Sequence, residues 1–178
     1  DLVAAASLIA RSIGLDERNA VAHNNHGAVL LALRRLEEAL TAFDRALALK
    51  PDYAEALNNG GNALLGLGRA GEALDRYRRA LQAGLRNATL LCNLGSALHS
   101  LGRLEEALAA FDEAIALDAG HADAHVNRGE TLRLLKRREE ALASFERAIA
   151  LAPDRAEPFN GRGTTLFEMD RLEEALRD

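Results

Sequence analysis

The fold is decided by the stretch Asn24-Asn25-His26-Gly27-Ala28-Val29-Leu30, whose outline returns 34 residues later as Asn58-Asn59-Gly60-Gly61-Asn62-Ala63-Leu64. The outline recurs at the same spacing in Cys92-Asn93-Leu94-Gly95 and Val126-Asn127-Arg128-Gly129, and more loosely in Asn160-Gly161-Arg162-Gly163. Self-similarity at one fixed period of this length is typical of proteins built from stacked repeats. We therefore expect an array in which each unit is stabilised by its neighbours.

Aligned with itself at this offset, the chain shows four columns of small or aromatic residues. They are Gly27, Gly61, Gly95, Gly129 and Gly163; Ala39, Ala73, Ala107, Ala141 and Ala175; Phe43, Tyr77, Phe111 and Phe145; and Ala46, Ala80, Ala114 and Ala148. Within each unit the apolar spacing predicts two amphipathic helices joined by a short break. The glycine falls inside the first helix, where it costs about 1 kcal/mol relative to alanine. We expect that cost to be offset because the missing side chain lets the second helix approach closely.

A charged column follows the break between the two helices of each unit. Its members are Arg35, Arg69, Arg103, Arg137 and Arg171, each followed two or three residues later by a glutamate. Acidic residues in the first turn of a helix complement its dipole, and an arginine beside them can pair with them. We interpret this column as structural.

These columns resemble the tetratricopeptide repeat (TPR), a helical hairpin of 34 residues. The resemblance implies an all-α solenoid of antiparallel hairpins that winds as a right-handed superhelix. We predict the second helix of a truncated preceding repeat at 1–19, complete repeats at 20–53, 54–87, 88–121 and 122–155, and a partial repeat at 156–178, all in one continuous solenoid. The column that often holds tryptophan in this family differs here, with His23, Leu57, Leu91, His125 and Phe159.

The composition argues against several classes of protein. A net charge of −5, from 22 Lys and Arg against 27 Asp and Glu, provides no basic surface for a phosphate backbone. A single cysteine, Cys92, cannot form an internal disulfide. No apolar run reaches the roughly 18 residues that a membrane span needs. We therefore expect a cytoplasmic protein that binds neither nucleic acid nor membranes.

One polar column stays in register along the first helices, and we call it the asparagine row: Asn25, Asn59, Asn93 and Asn127. An asparagine side chain carries an acceptor and a donor together, as a peptide unit does. The row is similar to the asparagine ladder that grips substrate peptides in the TPR superhelix of protein O-GlcNAc transferases. This resemblance implies contacts to an extended peptide backbone in the concave groove. The row ends at Asn127, because the fifth unit has Gly161 in this column. Alternatively, these side chains are solvated or hydrogen-bonded between adjacent helices.

Neighbouring positions on the first helices differ along the chain. Asn24, Asn58 and Asn62 keep the first half polar and uncharged. The second half is acidic, with Asp123, Glu130, Glu157 and Glu168, interrupted by Arg133. We add Asn24, Asn58, Asn62, Asp123 and Glu130 to the candidate peptide-binding residues, since an elongated partner with a basic segment would fit this gradient. Alternatively, these charges only keep the surface soluble.

The sequence offers no catalytic or metal-binding constellation. No nucleophile, base and orienting residue occur together at a recognisable spacing, and no glycine-rich phosphate loop follows a strand. His121 and His125 are four residues apart, but His125 lies in a column that is otherwise packed, and no third ligand recurs nearby. We expect Cys92 to be modestly accessible but unreactive. We predict no enzyme activity, no cofactor and no metal.

The predicted function is a non-catalytic scaffold that binds a peptide or extended protein segment in the concave groove. One alternative is the substrate-recognition arm of a larger enzyme, a glycosyltransferase resembling bacterial O-GlcNAc transferases. Another is a self-assembly module, because a lone hairpin cannot bury its apolar face and terminal hairpins then associate end to end.

Overall fold

The computed structural model describes residues 2–176, in which the helices are joined by short turns and no β-strand occurs. The helices are α1 (Leu2–Leu15), α2 (Ala20–Ala32), α3 (Leu36–Leu49), α4 (Ala54–Gly66), α5 (Ala70–Gln82), α6 (Ala88–Ser100), α7 (Leu104–Leu117), α8 (Ala122–Leu134), α9 (Arg138–Leu151), α10 (Ala156–Glu168) and α11 (Leu172–Ala175). Within this part of the chain, no helix is long and apolar enough to cross a membrane.

The chain divides into two compact units, Asp1–Arg86 and Asn87–Asp178. In the first, α1 precedes the first hairpin, α2–α3, and the second hairpin, α4–α5. The other unit contains the third hairpin, α6–α7, the fourth, α8–α9, and the short pair α10–α11. Inside each unit, hairpin partners pack together and the second helix of one hairpin packs on the first helix of the next. This arrangement confirms the predicted all-α array of helical hairpins.

The glycine column forms a close contact between the two helices in each of the first four hairpins. A Cβ atom added to Gly27 would lie 2.6 Å from Cε1 of Phe43, and one added to Gly95 would lie 2.6 Å from Cε1 of Phe111. Both rings are fully buried. The same contact joins Gly61 to Tyr77 and Gly129 to Phe145. In these four hairpins, the predicted reason for a glycine inside the first helix, close approach of the second helix, is confirmed.

A residue with a left-handed backbone conformation follows the first helix of each hairpin. The φ angles are 60° at Arg34, 75° at Gly68, 72° at Gly102, 62° at Lys136 and 61° at Asp170. The next residue, always an arginine, donates its N–H to a carbonyl five residues back, as Arg103 does to Leu98 at 2.9 Å. This is the hydrogen bond of a Schellman motif, which satisfies a terminal helix carbonyl.

The same arginine then stands immediately before the second helix and pairs with its first turn. Arg103 donates from Nε to Oε1 of Glu106 at 2.7 Å and from Nη2 to Oε2 at 2.6 Å. The equivalent two-bond pairs are Arg35 with Glu38, Arg69 with Glu72, Arg137 with Glu140, and Arg171 with Glu174. The charged column therefore has a local partner in each hairpin, in agreement with the structural role inferred from the sequence.

Candidate functional site

In the first unit, one member of the asparagine row, Asn59, is linked to neighbouring side-chain amides. Asn25 is exposed, whereas Asn59 is half-buried and donates from Nδ2 to Oδ1 of Asn24 at 3.2 Å. Asn58 donates in turn to Oδ1 of Asn59 at 3.3 Å. Asn24 is only 7% exposed. Asn59 therefore connects α4 to α2, which is the helix-to-helix role left open by the sequence.

In the second unit, the orientation of the Asn127 amide is fixed by its neighbours on α6. Nδ2 of Asn127 donates to Oγ of Ser96 at 3.3 Å and contacts Sγ of Cys92 at 3.7 Å. The Ser96 hydroxyl donates its single proton to the carbonyl of Cys92 at 2.9 Å, so it can only accept from Asn127. Asn93, one repeat earlier, is half-buried on α6. Within residues 2–176, Oδ1 of Asn127 has no hydrogen bond and remains available as an acceptor.

Asn62, also a candidate peptide-binding residue, already has a structural partner. Its Oδ1 accepts the hydroxyl of Tyr77 at 2.8 Å. Tyr77 is completely buried, and a buried hydroxyl needs such a partner. The other complete hairpins have phenylalanine in this column. The one tyrosine in the column was thus the signal from which this contact could have been predicted.

The acidic candidates in the second unit are paired with arginines. Asp123 accepts from Nη1 of Arg155 at 2.5 Å. Glu130 accepts from Nη2 of Arg133 at 2.9 Å, and the same arginine donates from Nη1 to Glu168 at 2.8 Å. These pairs reduce the attraction that the carboxylates would exert on a basic ligand. Arg133 was named from the sequence, whereas Arg155, which lies just before α10 at the end of the same repeat as Asp123, was missed.

The end of the asparagine row has a steric reason. A Cβ atom on Gly161 would lie 2.5 Å from Cε1 of Phe145, the ring that also fills the space beside Gly129. An asparagine side chain at residue 161 would therefore collide with this buried ring. Asn160 is exposed at the adjacent position of α10.

The histidines near the asparagine row form hydrogen bonds with backbone groups. His23 donates from Nε2 to the carbonyl of Glu17 at 3.1 Å, and His125 donates likewise to Ala119 at 3.2 Å. Both rings are 8% exposed, as expected for a packed column, and burial lowers the pKa of His125. His121 accepts the Ala124 N–H at 3.2 Å at the start of α8. Among the described residues, no group of three His, Cys, Asp or Glu side chains is placed to hold a metal ion.

Cys92 lies on α6 beside Asn127, and it is less accessible than expected from the sequence. The residue is 4% exposed. Burial raises the pKa of its thiol to about 11. Because the thiolate is the reactive form, the side chain is protonated and unreactive at neutral pH.

His99 extends the polar contacts of α6 and was missed by the sequence analysis. Its Nδ1 lies 2.9 Å from Oγ1 of Thr131, and that hydroxyl donates to the Asn127 carbonyl at 2.7 Å. The threonine proton is thereby used, so Nδ1 of His99 must carry the hydrogen. The equivalent residues Leu31 and Leu65 are apolar, and this break in the column was the available signal.

Comparisons with known proteins agree with this architecture. The family model for the tetratricopeptide repeat matches residues 17–86 and 85–154. No curated protein sequence matches significantly. Among solved structures, YrrB, a TPR protein with an unusual peptide-binding site, is 28% identical, with a TM-score of 0.76 over 97% of this chain and 89% of its own.

Two further solved structures are similar. TTC0263, a thermophilic TPR protein in Thermus thermophilus, is 30% identical, with a TM-score of 0.75 over 89% of this chain and 87% of its own. PilW, a widely conserved type IV pilus biogenesis factor, is 22% identical with a TM-score of 0.92, over 99% of this chain and 82% of its own, which shows a shared fold. Because the family model covers most of the chain, the protein belongs to the tetratricopeptide repeat family.

Proposed function

We propose that the chain is a non-catalytic interaction module that binds a peptide or extended protein segment along the asparagine row. The observation that carries this proposal is the geometry of Asn127. Its amide nitrogen is held by Ser96 and Cys92, and its carbonyl oxygen has no partner within residues 2–176. A rigidly held acceptor binds a ligand N–H with little loss of side-chain entropy.

The regular spacing of the row supports recognition of a backbone. Within a unit, side chains that recur every 34 residues on equivalent helix faces can each meet a different peptide group of an extended segment. Because these contacts involve the main chain, bound peptides should vary more in sequence than in length. YrrB, similar over nearly the whole chain, is itself described as having a peptide-binding site.

The proposal is tested by changing two members of the row together. We expect N59A/N93A to keep its helical content but to lose about 1 kcal/mol of peptide-binding free energy per broken hydrogen bond. The affinity is measured for peptides selected from a library with the unchanged protein. N160A is the matched control, since Asn160 is exposed beside the row and outside it. Unchanged affinity of a folded N59A/N93A protein would refute the proposal.

Self-association is a second candidate, favoured by apolar side chains near the two termini. Phe167 is 66% exposed and Leu176 is 88% exposed, while Leu8 on α1 is 63% exposed. Large apolar side chains that are exposed to this degree provide surface that a second copy of the chain would remove from water. We expect concentration-dependent dimers in sedimentation velocity that F167E/L176E abolishes. A strict monomer at high protein concentration would exclude this candidate.

A further inference from the structure

Two hydrogen bonds cross between α6 and α8 in opposite directions. Nδ2 of Asn127 on α8 donates to Oγ of Ser96 on α6 at 3.3 Å. Nδ1 of His99 on α6 donates to Oγ1 of Thr131 on α8 at 2.9 Å, because the threonine proton goes to the Asn127 carbonyl. On each helix the two residues are three or four positions apart and therefore share a face. The asparagine and the histidine thus each use a donor inside the protein.

Each of these two side chains keeps one acceptor without a hydrogen bond. The acceptors are Oδ1 of Asn127 and, because Nδ1 carries the ring proton, Nε2 of His99. Both residues are half-buried, and within residues 2–176 neither acceptor atom is enclosed by the protein. The contact between α6 and α8 therefore presents two fixed acceptors to solvent.

The histidine is not needed to bury the threonine. Thr131 and Thr165 are equivalent residues on α8 and α10, and both are completely buried. Each hydroxyl donates to the carbonyl four residues earlier at 2.7 Å, which satisfies its proton. At the place of His99, α8 has Arg133, which pairs with two glutamates and makes no hydrogen bond to Thr165. The bond from His99 therefore holds the imidazole ring in place and is not required by the threonine.

The histidine also departs from the apolar residues of the same column. Leu31 and Leu65 hold the equivalent positions of the first unit, so an apolar side chain suits this place on a first helix. A leucine at residue 99 would leave the Thr131 proton satisfied by the Asn127 carbonyl. It would remove only the acceptor beside Asn127. The polar residue thus adds a hydrogen-bonding group to the surface that carries the asparagine row.

The spacing of the two acceptors suits the backbone of an extended segment. Ser96, which holds the Asn127 amide, lies three residues before His99 on one helix face. Side chains at this separation have Cβ atoms about 5–6 Å apart. The N–H groups on one edge of an extended chain come from alternate residues, about 6.5–7 Å apart. Two N–H groups of one segment can therefore reach both acceptors together.

We propose that His99 is a second backbone-binding residue, which accepts an N–H of the bound segment two residues away from the N–H that Asn127 accepts. The inference rests on the proposed function, because it defines the ligand of the same site. It narrows the class of ligand to an extended segment with free N–H groups at two alternate residues. Such a segment has no proline at either residue, since proline has no N–H.

The first test observes the ring itself. Nitrogen-15 NMR of the isotopically labelled full chain, at about pH 8 where imidazole is neutral, distinguishes the two tautomers of a histidine. We expect His99 to carry its proton on Nδ1. The Nε2 resonance should shift on titration with a peptide selected from a library with the unchanged protein. A proton on Nε2 in the free protein would overturn the proposal, as would an Nε2 resonance that saturating peptide leaves unmoved.

The second test locates the two N–H groups. The selected peptide is made with one N-methyl group at each position in turn, and affinities are measured for the unchanged protein and for H99L. We expect two positions, two residues apart, at which methylation weakens binding about fivefold or more. The residue between them is the control, because its N–H lies on the other edge of the segment.

H99L copies the leucines of the first unit, and it should lose the sensitivity to methylation at one of the two positions only. If both positions remain sensitive in folded H99L, His99 makes no such contact. H99Q keeps a donor for Thr131 and an acceptor for the ligand, so it should retain both sensitive positions.

A neighbouring variant provides the matched control. S100A removes an exposed hydroxyl that donates to the Ser96 carbonyl, and it should leave the methylation pattern unchanged. A single sensitive position that H99L does not affect would refute the role of His99 and leave the proposed asparagine contacts standing. The absence of any sensitive position would refute the proposed function together with this inference.

Discussion

Two features recur at the same period, the glycine-aromatic contact inside each hairpin and the asparagine row on the first helices. They differ in how uniform their contacts are from one repeat to the next. Gly27, Gly61, Gly95 and Gly129 each face one fully buried ring at nearly the same distance. Members of the row differ: Asn25 is exposed, Asn59 bonds to Asn24, and Asn127 bonds to Ser96. A column that packs needs the same partner in each repeat. The row has no such common partner, and we propose that Oδ1 of Asn127 serves a ligand instead.

The largest effect on stability should come from adding a side chain at the glycine that packs against the aromatic ring inside a hairpin. We expect G95A to destabilise the protein by about 1–3 kcal/mol, because its Cβ would lie 2.6 Å from a buried ring that cannot move aside. Gly71 is the matched control, since a Cβ there meets nothing within 4 Å. G71A should instead stabilise α5 by up to about 1 kcal/mol. Urea unfolding checks both, and equal midpoints for the two variants would contradict this interpretation of the glycine column.

The next largest effect tests whether Asn62 stabilises the fold or is kept for a ligand. N62A removes the acceptor of the buried Tyr77 hydroxyl at 2.8 Å, and we expect a loss of about 1–2 kcal/mol of stability. Adding Y77F removes the orphaned donor, so the double variant should regain much of that loss. Thermal unfolding of the single and double variants provides the test. If N62A is as stable as the unchanged protein, Asn62 belongs with the ligand-binding residues and not with the packed ones.

A smaller effect should appear in the turns that join the helices. Gly102 and Lys136 occupy equivalent turns of the second unit with φ angles of 72° and 62°. G102A should cost about 1 kcal/mol, because a side chain is disfavoured in the left-handed region. K136G relieves that strain but gives the unfolded chain more freedom, so we expect a gain of less than about 1 kcal/mol. Chemical denaturation that shows the opposite order would refute this account of the turns.

The smallest effect concerns the exposed arginine-glutamate pairs. The hydrogen bond from Arg69 lowers the pKa of Glu72 below its usual value, against a smaller opposing effect of desolvation. A carboxyl whose pKa is lower in the folded state contributes stability above its unfolded pKa and loses it as pH falls through the folded pKa. Unfolding free energies at about pH 7 and about pH 3 should therefore differ slightly less for E72Q than for the unchanged protein. Identical pH dependence would show that the pair contributes nothing to the free energy of unfolding.

Much of the fold follows from periodicity alone. Gly27 and Phe43 mark a close helix contact because a helical glycine needs compensation and its column repeats beside an aromatic column. Contacts made by residues that depart from the repeat pattern are less predictable. Arg76 and Arg128 reach equivalent aspartates from different helices, so no single column contains both. Position alone does not reveal such exchanges, because they depend on which of two neighbouring helices carries the long side chain.

The candidate site was predictable as a row of residues but not as a set of hydrogen bonds. The sequence places Asn59 and Asn127 in one column, whereas their bonds go to different groups, Asn24 in one unit and Ser96 in the other. Side chains of the preceding repeat decide this difference, and those positions vary along the chain. The pairing of Asp123 with Arg155 has a different cause, because these residues lie 32 positions apart at the two ends of one repeat.

The central claim is that the asparagine row contacts the backbone of a bound peptide. Its most direct test follows the side-chain amide resonances of Asn25, Asn59, Asn93 and Asn127 while a library-selected peptide is titrated into the isotopically labelled protein. We predict saturable shifts of these amides with one common affinity, and a loss of that affinity when the peptide backbone is N-methylated at the contacting positions. Saturable peptide binding that leaves all four amide resonances unmoved would contradict the account.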